Sequence, residues 1–358
     1  MHVLLVSASI GEGHDAPARI LAAALNRRGT TTAILDALAE AGPIVGRLAG
    51  AGTQYDTRLG NVLYDVAHPL VAERPRSQHA TARLIGVLAG RRILRAVEAQ
   101  RPDVVVSTYP GATAVLGRLR ADGLLRVPLA AAVTDLASLR WWAHPGADCH
   151  LLIHPESAVE VRAIAGPSAR APAVHGLSDP RFARPLGQAQ ARTALGLPVA
   201  GSLAVVSGGG WAVGELGGAV DAALAAGADT IVALCGRRED VRAAFERRFA
   251  ERDAVRVWGF TEQMPELLAA ADVLVHSTAG LTVLEALMCG CHVISFGWGR
   301  GHIRANNRAY AQLGLATVAV DSSQLAAALT RTLAAGAATP LRLELPAAAD
   351  VVLALAAR

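Results

Sequence analysis

Two successive series of short apolar segments, each alternating with helix-forming stretches, predict a two-domain α/β protein built on doubly wound parallel sheets. Three observations carry this. Short apolar strands followed by helices are the pattern of parallel sheets covered on their faces. The length of 358 residues suits two domains at roughly 100–200 residues each. A stretch rich in Pro, Gly and Arg, about Gly176–Pro198, separates the two series as a linker would. The expected domains are 1–178 and 179–358.

The first series opens with a strand at Val3–Ser9, a glycine-containing turn, and an Ala/Leu-rich helix from about Ala16 to Arg28. Further strands are expected at Thr31–Leu35, Asp103–Ser107, Leu129–Thr134 and Cys149–Ile153. From about Ala41 to Gln100 no strand stands out; helical apolar spacing mixed with arginines predicts inserted helices near the mouth of a cleft. The second series places strands at Leu203–Ser207, Thr230–Cys235, Ala254–Trp258, Asp272–His276, His292–Phe296 and Ala316–Val320. A last helix, about Pro346–Arg358, has an apolar face expected to pack back on the body, against the first domain.

Hydrophobic residues make up 52% of the chain and charged residues 18%, enough to fill two cores and too apolar for disorder. The 34 basic residues are all arginine, a bias that a GC-rich genome explains. A net charge of +4 with 4% aromatics excludes a general nucleic-acid binder, which needs a basic stripe with interleaved rings. Cys149, Cys235, Cys289 and Cys291 form no CxxC pair and read as reduced core residues of a cytosolic protein. The start, Met1-His2-Val3-Leu4-Leu5-Val6, reads as a strand rather than a signal peptide, and no run of about 18 apolar residues spans a membrane. A cytoplasmic location follows as the expectation.

Three constellations bear chemistry. The first is Ser9-Ile10-Gly11-Glu12-Gly13-His14 at the carboxyl end of the first strand, the edge where open α/β sheets bind ligands. Gly11 and Gly13 let the backbone approach a ligand, and His14 beside them is a candidate proton acceptor. Gly11-x-Gly13-x-x-Ala16 with Asp36 also fits a dinucleotide fingerprint, which keeps an NAD-dependent oxidoreductase open, and the turn can equally be a plain strand–helix connection. The second is Val133-Thr134-Asp135, another strand end. Asp135 can orient an imidazole, contact an acceptor, or simply cap its turn. Trp141-Trp142-Ala143-His144-Pro145 nearby reads as buried packing.

The third constellation runs from Trp258 to Asn307 and is the most specific. Gly280 opens a helix after a strand ending at His276, and the free N–H groups of Gly280, Leu281 and Thr282, with Ala279, His276 and the Thr282 hydroxyl, can cradle a diphosphate. Glu285, one turn on, can accept from two ribose hydroxyls. Gly208 and Gly209, opening Gly208-Gly209-Gly210, can cover the diphosphate from the other side, and the segment from Gly299 to Asn307, with His302 and Asn306, can reach a donor sugar. No Asp-x-Asp pair occurs, so no metal is expected and the helix start must stabilise the leaving group.

With these residues the chain resembles the monogalactosyldiacylglycerol synthase and processive diacylglycerol glucosyltransferase family. The motifs are Gly11-x-Gly13-His14, Val133-Thr134-Asp135, His144-Pro145, Gly176-Leu177-Ser178-Asp179-Pro180, Gly259-Phe260, Gly280-Leu281-Thr282-Val283-Leu284-Glu285-Ala286 and Gly301 to Asn306. The peptidoglycan lipid N-acetylglucosaminyltransferase is a more distant likeness. The resemblance implies a GT-B fold of two Rossmann-like domains facing a cleft, a UDP-sugar donor, inversion at the anomeric carbon and peripheral membrane attachment on the cytoplasmic side. It implies His14 as catalytic base, Glu285 on the ribose and Phe260 by the uracil, with a diacylglycerol-type lipid or a small molecule as acceptor and no cofactor. The chain departs from the family at Ser277-Thr278-Ala279-Gly280, where a Lys-Pro-Gly-Gly turn is usual, at His302, where Gln is usual, and at Ser178, where Pro is usual. His276-x-x-Ala279-Gly280-x-Thr282 also looks like natural-product glycosyltransferases. A nucleotide-sugar epimerase and a non-catalytic UDP-sugar sensor are the other readings.

Overall fold

Runs of three to six mostly apolar residues become parallel strands: the inner strands, covered by helices, are buried nearly throughout and need no alternation, while Thr31–Asp36, Val255–Trp258 and Thr317–Ala319 at the edges are mostly half-buried or exposed. The computed structural model describes residues 1–9, 12–42, 89–277, 280–297, 302–336, 338–342 and 344–357. Gly11, Ala279 and most of the inserted region expected between Ala41 and Gln100 lie outside the described residues. The chain divides into two units, Met1–Ser178 with Glu344–Arg358, and Asp179–Leu343.

In the first unit β1 (His2–Ser7), β2 (Thr31–Asp36), β3 (Val104–Ser107), β4 (Leu129–Val133) and β5 (Cys149–Leu152) form one parallel sheet in the order β2-β1-β3-β4-β5. The order reverses between β1 and β3, and the crevice beyond the carboxyl ends of such a strand pair is where open α/β sheets take ligands. The first helix runs Glu12–Asn26, not Ala16–Arg28. Glu12 and Asp15 in its first turn suit the positive helix end, which favours the earlier start, and Gly29 at φ 78° ends it by taking a left-handed conformation. His14 therefore sits in a helical first turn rather than in a loop. Asp36 caps the helix Ala37–Ala41, accepting from the Leu38 and Ala39 amides while its other oxygen accepts from Ser9 Oγ. Both oxygens already serve the cap and Ser9, so Asp36 acts here as a helix-capping residue.

The final helix, Ala348–Ala356, belongs to the first unit, and the second unit ends at Leu343 rather than 358. Ala348, Ala349, Val352 and Leu355 form its buried face, and Asp350 pairs at 2.6 Å with Arg28 in the turn after the first helix. Amide bonds from His175 to Pro346 and from Ala348 to His175 bring the chain back beside residue 175.

The second unit has β6 (Leu203–Ser207), β7 (Thr230–Leu234), β8 (Val255–Trp258), β9 (Val273–His276), β10 (His292–Phe296) and β11 (Thr317–Ala319), all parallel, in the order β11-β10-β9-β6-β7-β8. Within this unit the order reverses between β6 and β9, where Ser207 stands level with His276. The two glycine-bearing segments that follow β6 and β9 thus leave the sheet side by side.

Candidate functional site

The carboxyl edge of the first sheet assembles around His14. Ser7 Oγ at the end of β1 donates to Asp15, tying the helix start to the strand. His14 Nδ1 lies 3.1 Å from the carbonyl oxygen of Thr108, which follows β3. A carbonyl only accepts, so Nδ1 carries the hydrogen and the basic lone pair falls on Nε2. Tyr109 meets the imidazole edge-on at 5.2 Å between ring centroids, and Trp142 lies tilted against it at 5.8 Å. The Tyr109 carbonyl accepts from Ser107 Oγ at 2.9 Å, and Thr113 Oγ1 donates to Ser107 Oγ at 2.9 Å, which fixes the β3 exit.

Asp135 takes a different part from the one its position suggested. Its carboxylate accepts from Trp142 Nε1 at 2.8 Å, and Trp142 is only 1% exposed. The indole, not the imidazole, is its partner here, and Asp135 bears on His14 through the ring that Trp142 lays against it. Among the described residues, a Cβ on Gly13 would meet nothing within 4 Å, so their packing does not demand glycine there. His144-Pro145 is structural: a Cβ on Gly117 would strike the His144 ring at 2.5 Å, and one on Gly146 would strike the Gly117 carbonyl at 2.1 Å. These glycines let the segment lie on the helix Pro110–Ala121. Sequence reasoning passed over His150 and His154 on and just after β5. Burial pushes both down to about 4, so each ring is neutral at ordinary pH.

In the second unit, the turn after β6 is folded tightly. A Cβ on Gly208 would lie 2.5 Å from the Val213 carbonyl oxygen, Gly209 has φ 70°, and the Arg237 amide donates to Gly210 at 2.8 Å. After β9, Gly280 at φ 101° and ψ −144° enters the helix Leu281–Met288 without a side-chain cap. That leaves the amides of the helix start for an anion. Leu281 is buried and Thr282 half-buried in this first turn. Glu285 lies in the next turn; burial raises its carboxyl to about 8, and the charge of Asp179 adds to the shift.

His276 departs from the diphosphate role read in the sequence. It is 1% exposed, its Nε2 lies 3.1 Å from Ser295 Oγ on β10, and its Nδ1 has no partner among the described residues. Burial pushes its pKa down to about 4, so it brings no positive charge. It packs within the sheet edge under the turn. Asn306 is likewise fully buried on the helix His302–Gln312, which His302 opens. Phe260 is exposed, with the Arg237 guanidinium 3.7 Å from its ring centre. A cavity of about 380 Å³ beside it is lined by Trp258, Gly259, Thr261 and Arg242 among others. Among the described residues no helix is long and apolar enough to cross a membrane.

Residues 14–172 match the family model for monogalactosyldiacylglycerol (MGDG) synthase, and residues 200–335 match that for glycosyl transferases group 1. A processive diacylglycerol beta-glucosyltransferase of Staphylococcus aureus (strain Newman) is 22% identical over 189 residues, 52% of this chain and 48% of the relative. The chain spans about half the length of the curated relatives it matches. Among solved structures, Acinetobacter baumannii MurG covers 99% of each chain at 16% identity and a TM-score of 0.58. Arabidopsis thaliana UGT89C1 complexed with UDP covers 92% of this chain and 90% of its own at 14% identity and a TM-score of 0.54. These two likenesses carry the fold. The chain thus has the GT-B fold, and its two units match two different glycosyltransferase family models, each over less than half of the chain.

Proposed function

We propose that the protein transfers a hexose from a UDP-sugar to the hydroxyl of a diacylglycerol-type lipid, with inversion at the anomeric carbon. The observation that carries the reading is the state of His14: the Thr108 carbonyl holds the hydrogen on Nδ1 and leaves Nε2 as the base, at the strand-order reversal of the first sheet. In a single displacement Nε2 takes the acceptor proton as the acceptor oxygen attacks the anomeric carbon, and the C–O bond to the diphosphate breaks with UDP as leaving group. Amides at the start of the helix Leu281–Met288, with the Gly208-Gly209 turn beside them, receive the developing charge. Glu285 holds the ribose, and the cavity beside Phe260 is of a size for the base. The helix His302–Gln312 follows on the same side of the proposed donor site and frames the donor sugar.

No metal or other cofactor enters this reading. UDP is expected to bind in EDTA, measured by titration calorimetry, and Glu285→Ala is expected to weaken it by about 1–3 kcal/mol, the cost of leaving buried hydrogen-bonding groups without their partner. Loss of wild-type binding on chelation would overturn the metal-free site, and an unchanged affinity in the variant would remove Glu285 from it.

A lipid acceptor brings the enzyme to a membrane surface, on the cytoplasmic side in this reading. Supporting this, Arg91, Arg92 and Arg95 are exposed on helical residues 89–100 while Ile93 and Val97 are buried. Such a face suits peripheral contact with anionic headgroups. The name of the Staphylococcus aureus relative, a diacylglycerol glucosyltransferase, points the same way.

A further inference from the structure

We infer that Tyr310 is a positioning residue that sets the donor turn through its hydroxyl. Tyr310 lies on the helix His302–Gln312 and is fully buried. Its oxygen is 3.4 Å from the Gly280 amide nitrogen and 3.3 Å from the Gly280 carbonyl oxygen. A phenol has one hydrogen and free lone pairs. It donates to the carbonyl and accepts from the amide, so one side-chain atom holds both polar groups of one buried residue.

That residue is the one whose conformation decides where the helix starts. Gly280 has φ 101° and ψ −144°, a region that residues other than glycine scarcely enter. No side chain caps the helix Leu281–Met288 that it begins. The direction of the first free amides therefore depends on holding Gly280 in this conformation, and the Tyr310 hydroxyl is the side-chain group that bonds both sides of its backbone. The tyrosine is itself anchored: the Leu315 amide donates to its carbonyl at 2.9 Å, closing the helix end beyond it. The inference rests on the proposed donor site, and it adds that the helix 302–312 acts on the diphosphate end of the donor as well as on the sugar end.

Tyr310→Phe removes the hydroxyl and keeps the buried ring, so the core stays filled. UDP affinity is expected to fall about tenfold, as for a binding site whose buried groups lose their partner. KM for the UDP-sugar should rise by about the same factor and kcat should fall as well, because the same amides bind the diphosphate and receive the charge that develops as UDP leaves. Backbone hydrogen exchange at Gly280 should be slow in the wild type without ligand and faster in the variant. A tyrosine that only filled the core would lower the melting temperature and leave Kd and KM where they were. That result, or a Gly280 amide that already exchanges rapidly in the wild type, would overturn the inference. Failure of the wild type to bind UDP at all would instead strike the donor site itself, and the inference with it.

Discussion

Replacing His14 with alanine is expected to lower turnover by about 100- to 10,000-fold, the usual contribution of a positioned general base. UDP affinity should hardly change, because the proposed donor site lies wholly in residues of the second unit. The expectation follows from three restraints on one ring: a carbonyl on Nδ1, Tyr109 at its edge and Trp142 against its face. They fix both the tautomer and the direction of the lone pair. Asp135→Asn should be mild by comparison. An asparagine oxygen can still accept from the Trp142 indole, so the ring that steadies His14 keeps its anchor. Initial-rate measurements on the two variants separate the roles. A nearly normal rate for His14→Ala with a severe loss for Asp135→Asn would make the carboxylate the base.

The second large effect is on stability. Asp272, just before β9, accepts from Arg192 at 2.9 Å, from Gln188 Nε2 at 2.8 Å and from the amide of Leu203, the first residue of β6, at 2.7 Å. Arg192 is 3% exposed and also donates to the carbonyls of Ala270, Val199 and Gly201. One buried ion pair thus fastens the linker helix Gln188–Ala194 to the starts of the two strands whose far ends form the donor turn. Asp272→Ala leaves the guanidinium buried without its counter-charge, which costs about 3–5 kcal/mol. Urea unfolding is expected to show a loss of that size, and UDP binding should weaken with it. A loss below about 1 kcal/mol would mean that Arg192 is satisfied by carbonyls alone.

The strands were legible because a buried parallel strand needs only a short apolar run, and β1 to β11 fall within two residues of their expected ends. Glycine signals were legible where backbone sterics demand them, as at Gly208 and Gly280. What escaped the sequence depends on contacts between distant segments. Nothing in the local pattern says that β3 adjoins β1, yet that adjacency brings the Thr108 carbonyl to His14 across 94 positions of chain. Asp135 and Trp142 are seven residues apart, but a carboxylate at a strand end offers itself equally to an imidazole or an indole until the fold decides. His276 has the residue type of a phosphate ligand, but burial beside β10, where Ser295 Oγ meets its ring, keeps it neutral. Tyr310 gave no signal at all, since an aromatic residue on an amphipathic helix normally reads as core.

Hexose transfer from a UDP-sugar to a lipid hydroxyl is read most directly from product formation. The full chain is incubated in EDTA with UDP-glucose, UDP-galactose or UDP-N-acetylglucosamine and vesicles that contain diacylglycerol, with and without anionic phospholipid. Mass spectrometry follows the lipid, and released UDP is counted. A glycosylated diacylglycerol is expected from at least one donor, with one UDP released for each sugar transferred and faster transfer on anionic than on neutral vesicles. Tight UDP binding with no glycosylated lipid from any donor would contradict it, and transfer to soluble acceptors alone would move the enzyme off the membrane.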